Sequence, residues 1–223
     1  MEKLPNINII YEDNHLLVVE KPINIPVCED ESKDLDLLTV LKKYLKEKYN
    51  KPGNVYLGLV HRLDRPVGGI MVFAKTSKAA SRLSNQVREK TLKKTYYAVV
   101  ENPLKQKDTL KDYLIKNEKT NITTTTTKDK GKEAILNYEI IKTIDNLNLV
   151  KINLITGRSH QIRVQFSSRN NPLYGDQKYN KNAIPHTDIA LFAKILEFTH
   201  PTTKENLKFQ IELPKRYPFN IFK

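Results

Sequence analysis

Short apolar runs separated by polar breaks open the chain, Ile7 to Tyr11 and then Leu16 to Val19, and predict two strands that lead into a Pro-bounded turn at Lys21–Pro26. Leu37, Leu38, Leu41, Tyr44 and Leu45 then fall at helical spacing, with lysines on the other face and Pro52-Gly53 beyond the end. The stretch Tyr56–Val60 reads as a strand, His61–Gly69 as a polar loop containing Pro and Gly, and Ile70–Thr76 as a second strand. Ser77 is a candidate N-cap for another helix, in which Ala80, Leu83 and Val87 mark the inner face and Lys78, Arg82, Arg88 and Lys90 the outer one.

From Lys93 onward β-branched and aromatic residues dominate. Strands are predicted at Lys93–Asn102, Thr109–Asn117, Glu133–Ile144 and Asn148–Thr156, with the threonines up to Thr127 forming an edge strand. Gly157–Ser168 reads as a short helix with Ile162 and Phe166 turned inward, followed by a polar loop through Pro172, Gly175 and Asp176. Two strands, Ile189–Phe198 and Glu205–Leu213, close the pattern. The sum is an α+β chain dominated by antiparallel strands, with no internal repeat and no linker. Its 223 residues are therefore expected to form one catalytic domain, 1–223.

Charge and composition narrow the function classes. Lys and Arg outnumber Asp and Glu by 38 to 25, a net +13 that favours a polyanion such as nucleic acid through counterion release, although lysines can also simply solvate exposed faces. The single Cys28 rules out an internal disulfide and a multi-cysteine zinc site, and no metal-ligand cluster is visible. No apolar run reaches the length of a membrane span and no leader pattern opens the chain, so a soluble, cytoplasmic protein is expected.

One segment concentrates chemistry. In HRLDRPVGG, Asp64 lies between Arg62 and Arg65 with His61 nearby, and two glycines allow a bulky substrate to approach the backbone. Adjacent guanidiniums hold a carboxylate ionised, ready to act as nucleophile or base, but an ion pair that only fastens a loop has the same composition. GRSHQIR gathers Arg158, His160, Gln161 and Arg163 within little more than a helical turn, where phosphate contacts or a solvated basic helix are both readable. Tyr96 and Tyr97 take opposite faces of their strand, so at most one can stack on an extruded base.

Taken in order, HRLDRPVGGIMVFAKT, KKTYYAVV, TGRSHQIRVQFSS, YGDQKY and IALFAKILEFTHP resemble the blocks of the RluA-type pseudouridine synthases, from about Ile9 to the last strands. The resemblance implies a mixed, largely antiparallel bent sheet with helices packed on it around an RNA-binding cleft, active without metal or organic cofactor. It makes Asp64 the catalytic aspartate, Tyr96 the tyrosine against the uracil ring and Arg163 the basic partner of the aspartate. His61, Arg62, Arg65, Arg158, His160 and Gln161 become RNA-binding candidates. The implied partner is ribosomal or transfer RNA and the implied state a monomer, with no room at the N-terminus for an S4-type RNA-binding domain.

Three departures are visible: Asn24 stands where a glycine is frequent, RPVGG replaces a Thr-Ser-Gly type, and Phe192 replaces a frequent histidine. They open a rival reading, an RNA-binding or ribosome-assembly factor that has lost turnover. A second rival is an N-glycosidase that releases uracil. Hydrolysing glycosidases ordinarily need two carboxylates, and only Asp64 stands out here.

Overall fold

The computed structural model describes residues 7–102 and 104–223. Among the described residues, eleven strands and three α-helices follow one another as β1 (Asn8–Glu12), β2 (Leu16–Lys21), α1 (Leu37–Lys48), β3 (Gly58–Leu59), β4 (Gly68–Ala74), α2 (Ser77–Arg88), β5 (Lys93–Glu101), β6 (Lys107–Asn117), β7 (Ile122–Thr126), β8 (Lys132–Ile144), β9 (Leu147–Leu154), α3 (Gln161–Ser167), β10 (Leu191–Thr199) and β11 (Asn206–Gln210). The chain divides into two compact units, the first of residues 1–92 and 195–211, the second of residues 93–194 and 212–223. The predicted α+β class holds, and the ladders described below are all antiparallel.

In the first unit β2 lies between β1 and β4, with Lys21 opposite Gly69 and Leu16 opposite Ala74. The face built by Leu16, Val18, Ile70, Val72 and Ala74 is closed by Ala79 and Leu83 of α2 and by Leu196 and Phe198 of the β10–β11 hairpin. Burial of the Leu, Val, Ile and Phe side chains among them, each worth about 1.5–3 kcal/mol, is what holds the unit together. Helix α1 starts at Asp36, whose carboxylate accepts the N–H of Thr39 at 3.0 Å, and buries Leu37, Val40, Leu41 and Leu45. Val40 belongs to the inner stripe, while the predicted members Leu38 and Tyr44 sit at its margin.

Three sequence expectations shift. The N-cap of α2 is Thr76, whose hydroxyl accepts the N–H of Ala79, so Ser77 is the first helical residue. The strand expected over Tyr56–Val60 shrinks to Gly58–Leu59, where a Cβ on Gly58 would lie 2.9 Å from the Cβ of Ala80, so that only glycine allows this approach to α2. Gly68 and Gly69 belong to β4 rather than to the loop, Gly69 with φ +128°.

In the second unit the strands run in the order β5-β9-β8-β6-β7. The threonine strand β7 pairs with β6 at the end of that order, as its polar composition predicted for an edge. Helix α3 is shorter than expected: Gly157–His160 precede it, and Gln161 to Phe166 are all buried rather than one face alone. Val164 joins Leu114 and Ala134 in a small core against Tyr179. Phe192 is also core, 4% exposed and edge-on to Phe219 at 6.4 Å, so at this position the side chain serves packing.

Candidate active site

Burial alternates along the loop that carries Asp64. His61 and Leu63 are buried while Arg62 is exposed and Asp64 partly exposed, an alternation that puts Arg62 and Asp64 on the same outer side. His61 is an anchor, its Nε2 accepting the N–H of Val72 at 3.2 Å from inside β4. A tight turn follows, closed by Val67 N–H to Asp64 O at 2.9 Å, with buried Val67 on its far side.

The group that pins this turn was not among the sequence candidates. Lys21, at the end of β2 and 1% exposed, donates from Nζ to the carbonyls of Pro22 (2.9 Å), Arg65 (3.0 Å) and Val67 (2.8 Å). All three ammonium N–H bonds are thereby used, two of them on the turn that Asp64 begins. Burial pulls the Lys21 pKa down to about 7, the negative charge of Asp64 raises it and the Arg65 guanidinium lowers it further. The Lys21 ammonium is thus a fixed anchor directly behind the aspartate loop.

Arg65 projects outward but is engaged, with Nη1 donating to Ser32 Oγ at 3.0 Å and Nη2 paired with Asp34. The hydrogen bond from Arg65 holds the Asp34 carboxyl below its usual range. Asn24, in the Lys21–Pro26 turn, has φ 63°, a left-handed conformation that glycine adopts freely and asparagine tolerates best among the larger residues. The departure from glycine at this position is therefore conformationally mild.

In the second unit Arg163 presents Nε to Asp176 Oδ2 at 2.9 Å and Nη2 to Asp176 Oδ1 at 2.7 Å, with both side chains almost completely buried. Asp176 Oδ1 also accepts the N–H groups of Lys178 and Tyr179, and the ring of Tyr179 lies 5.0 Å from the guanidinium carbon. His160, left-handed at φ 52°, joins its Nδ1 to Tyr179 Oη at 2.7 Å, and the same oxygen accepts the N–H of Thr123 at 2.8 Å. Burial pushes the Tyr179 phenol up, against the hydrogen bond from Thr123 and the charge of Arg163.

Gln161 lies inside the scaffold. It accepts from Thr156 Oγ1 and Arg158 N–H and donates to Ile135 O and Gln165 Oε1, which orders the entry to α3. Arg158 is exposed with its Nε on Glu133 O at 2.8 Å. Tyr96 is 5% exposed opposite Ile152, whereas Tyr97 is half-buried with Lys194 Nζ 5.7 Å from its ring. Lys21, Asp176 and Tyr179 are thus the supporting residues that sequence reasoning did not single out for a role. Asp176 and Tyr179 were signalled only by the polar block YGDQKY. Among the described residues no group of three or more His, Cys, Asp or Glu is placed to hold a metal, and no helix is long and apolar enough to cross a membrane.

Residues 15–168 match the family model described as RNA pseudouridylate synthase. The chain is 32% identical to an uncharacterized RNA pseudouridine synthase of Aquifex aeolicus over 97% of its own length and 72% of the relative's. It is 34% identical to the ribosomal large subunit pseudouridine synthase C of Buchnera aphidicola, over 95% and 68% of the two chains. In structure it is similar to human RNA pseudouridylate synthase domain containing 4, with a TM-score of 0.80 at 22% identity over 93% of this chain and 89% of that one, a likeness of fold.

Proposed function

Because the chain belongs to the RNA pseudouridylate synthase family, we propose that it isomerises particular uridines of ribosomal or transfer RNA to pseudouridine, with Asp64 as the catalytic carboxylate. The observation that carries the assignment of Asp64 is its setting: a partly exposed carboxylate at the start of a turn that the buried Lys21 ammonium grips from behind. Ribosomal RNA is favoured as substrate by relatives named for the large subunit, and residues 1–223 are read as one monomeric catalytic domain of the cytoplasm with an RNA-binding cleft.

The reaction breaks the N1–C1′ bond, rotates the uracil in place, joins C5 to C1′ and moves the C5 proton to solvent while N1 regains one. Atoms and oxidation state are conserved, so the chemistry asks for a nucleophile or base, a way to hold the ring and exclusion of water. Asp64 either attacks C1′ or removes the C2′ proton to give a glycal, with Arg163 as its basic partner and Tyr96 holding the ring and assisting loss of the C5 proton. Neither C1′ nor C5 is reachable in a stacked helix, so the uridine is flipped out at a cost of a few kcal/mol, offset by phosphate contacts from Arg62, Arg65 and Arg158. His61, His160 and Gln161 support these contacts from buried positions.

The test uses pooled unmodified ribosomal and transfer RNA transcripts carrying tritium at uracil C5. Wild type releases tritium, while Asp64→Asn binds the RNA and releases none. Equal release by both proteins removes Asp64 from the mechanism. Binding without release by wild type turns the reading into that of a binding factor, and free uracil among the products turns it into that of a glycosidase.

A further inference from the structure

Lys94 is the second residue of β5, the strand that carries Tyr96. Two residues apart on β5, the two side chains leave the same face of the strand. A Cβ built on Gly157 would lie 3.3 Å from Lys94 Nζ, so the ammonium rests over the Gly157 backbone, at the head of the segment that carries Arg158, His160 and Arg163. The side chain is half-buried, and among the described residues its ammonium has no hydrogen-bond or ion-pair partner. Arg163, by contrast, has Asp176 as its counter-ion.

A desolvated cation without an acceptor is costly, and burial accordingly pulls the Lys94 pKa below its ordinary value. The enzyme acts on a polyanion, and an ammonium is a compact point charge suited to a phosphate oxygen. The bland alternative is a lysine whose stem merely covers Gly157. It leaves unexplained why Nζ stops over a glycine rather than in water.

We infer that Lys94 Nζ binds a phosphate oxygen of the substrate RNA in the space left open above Gly157, beside Tyr96. A contact of this kind is present in the ground state and the transition state alike, so it acts on KM and leaves kcat alone. Contact with a carbonyl of the reacting uracil would instead register in kcat. The inference rests on the proposed function for the identity of the ligand. Direct binding measurements keep the two separable.

The test takes the transcript from which wild type releases tritium, or the pooled transcripts if none does, and compares wild type, Lys94→Met, Lys94→Arg and Gly157→Ala by filter binding across a salt series and by steady-state tritium release. Lys94→Met is expected to weaken binding and raise KM by about 10-fold, to leave kcat within about twofold, and to lower the salt slope by about one. Lys94→Arg keeps the slope. Gly157→Ala, which retains the charge but places a methyl group against Nζ, also weakens binding, and it carries the test if Lys94→Met fails to fold. Wild-type affinity and slope in Lys94→Met or wild-type affinity in Gly157→Ala overturns the inference, as does a loss confined to kcat. Absence of turnover in wild type overturns the proposed function instead, with the binding arm still deciding on Lys94.

Discussion

Replacing Lys21 by methionine separates two effects that the structure sets against each other. The substitution removes a cation whose burial lowers its pKa from 10.5 to about 7, a penalty of about 5 kcal/mol for the charged form. It also strips the carbonyls of Pro22, Arg65 and Val67 of their donor, at about 1–3 kcal/mol each. The two oppose each other, so stability at pH 7 should change by between a gain of about 2 and a loss of about 4 kcal/mol, whereas the turn beginning at Asp64 loses its anchor and kcat should fall by at least about 10-fold. The pH dependence carries the sharper signal. Above pH 7 the folded protein releases the Lys21 proton while the unfolded chain keeps it up to about 10.5, so the unfolded state binds more protons and wild-type stability rises with pH through that window. Between pH 7 and 9 the gain is at most about 2.7 kcal/mol, and the carbonyl bonds to the ammonium bring it toward the lower half of that range. Urea unfolding of both proteins at pH 6, 7, 8 and 9, with tritium-release kcat at pH 7, measures both effects, and the difference between the two stability curves isolates Lys21 from every other lysine. Parallel curves, or a wild-type curve that falls relative to the variant as pH rises, would refute the reasoning, as would an unimpaired kcat.

Asp176→Asn leaves the Arg163 guanidinium buried without its carboxylate while keeping an oxygen for the Lys178 and Tyr179 amides; a loss of about 3–5 kcal/mol and a Tm lower by about 10 °C are expected in thermal unfolding followed by circular dichroism. Asp34→Asn releases Arg65 from an exposed pair, so stability should stay within about 1 kcal/mol of wild type while RNA binds more tightly and the salt slope steepens by about one; an unchanged slope in filter binding would show that Arg65 does not reach a phosphate.

Local periodicity made most elements legible. The stripe of α1 and the threonine edge strand β7 each obey a rule that acts within a few residues. The misplacements have tertiary causes. The strand around Gly58 is cut short where α2 comes against it, and the beginning of α3 lies at Gln161 because its amide side chain is consumed by Thr156, Arg158, Ile135 and Gln165. Ala80 of α2 is remote in sequence from Gly58, and Ile135 lies 26 residues from Gln161, whereas Thr156, Arg158 and Gln165 are local partners of that amide.

The same distinction runs through the candidate site. Asp64, Arg62 and Arg65 were readable because they crowd into one short loop, and Arg163 because it shares a helix entry with His160 and Gln161. The groups that hold them are remote or chemically quiet in sequence. Lys21 reaches Arg65 and Val67 across 44 and 46 residues, and nothing in a lysine before a proline announces that its ammonium is buried. Asp176 was visible only as one acid in a polar loop, although the fold makes it the counter-ion of Arg163 across 13 positions. A motif names the groups able to meet the substrate, whereas the cations and carboxylates that fix their geometry are defined by burial. Burial is settled by the packing of whole strands, which is why Lys21 at the end of β2 and Asp176 in its loop emerge only once those strands have been laid side by side.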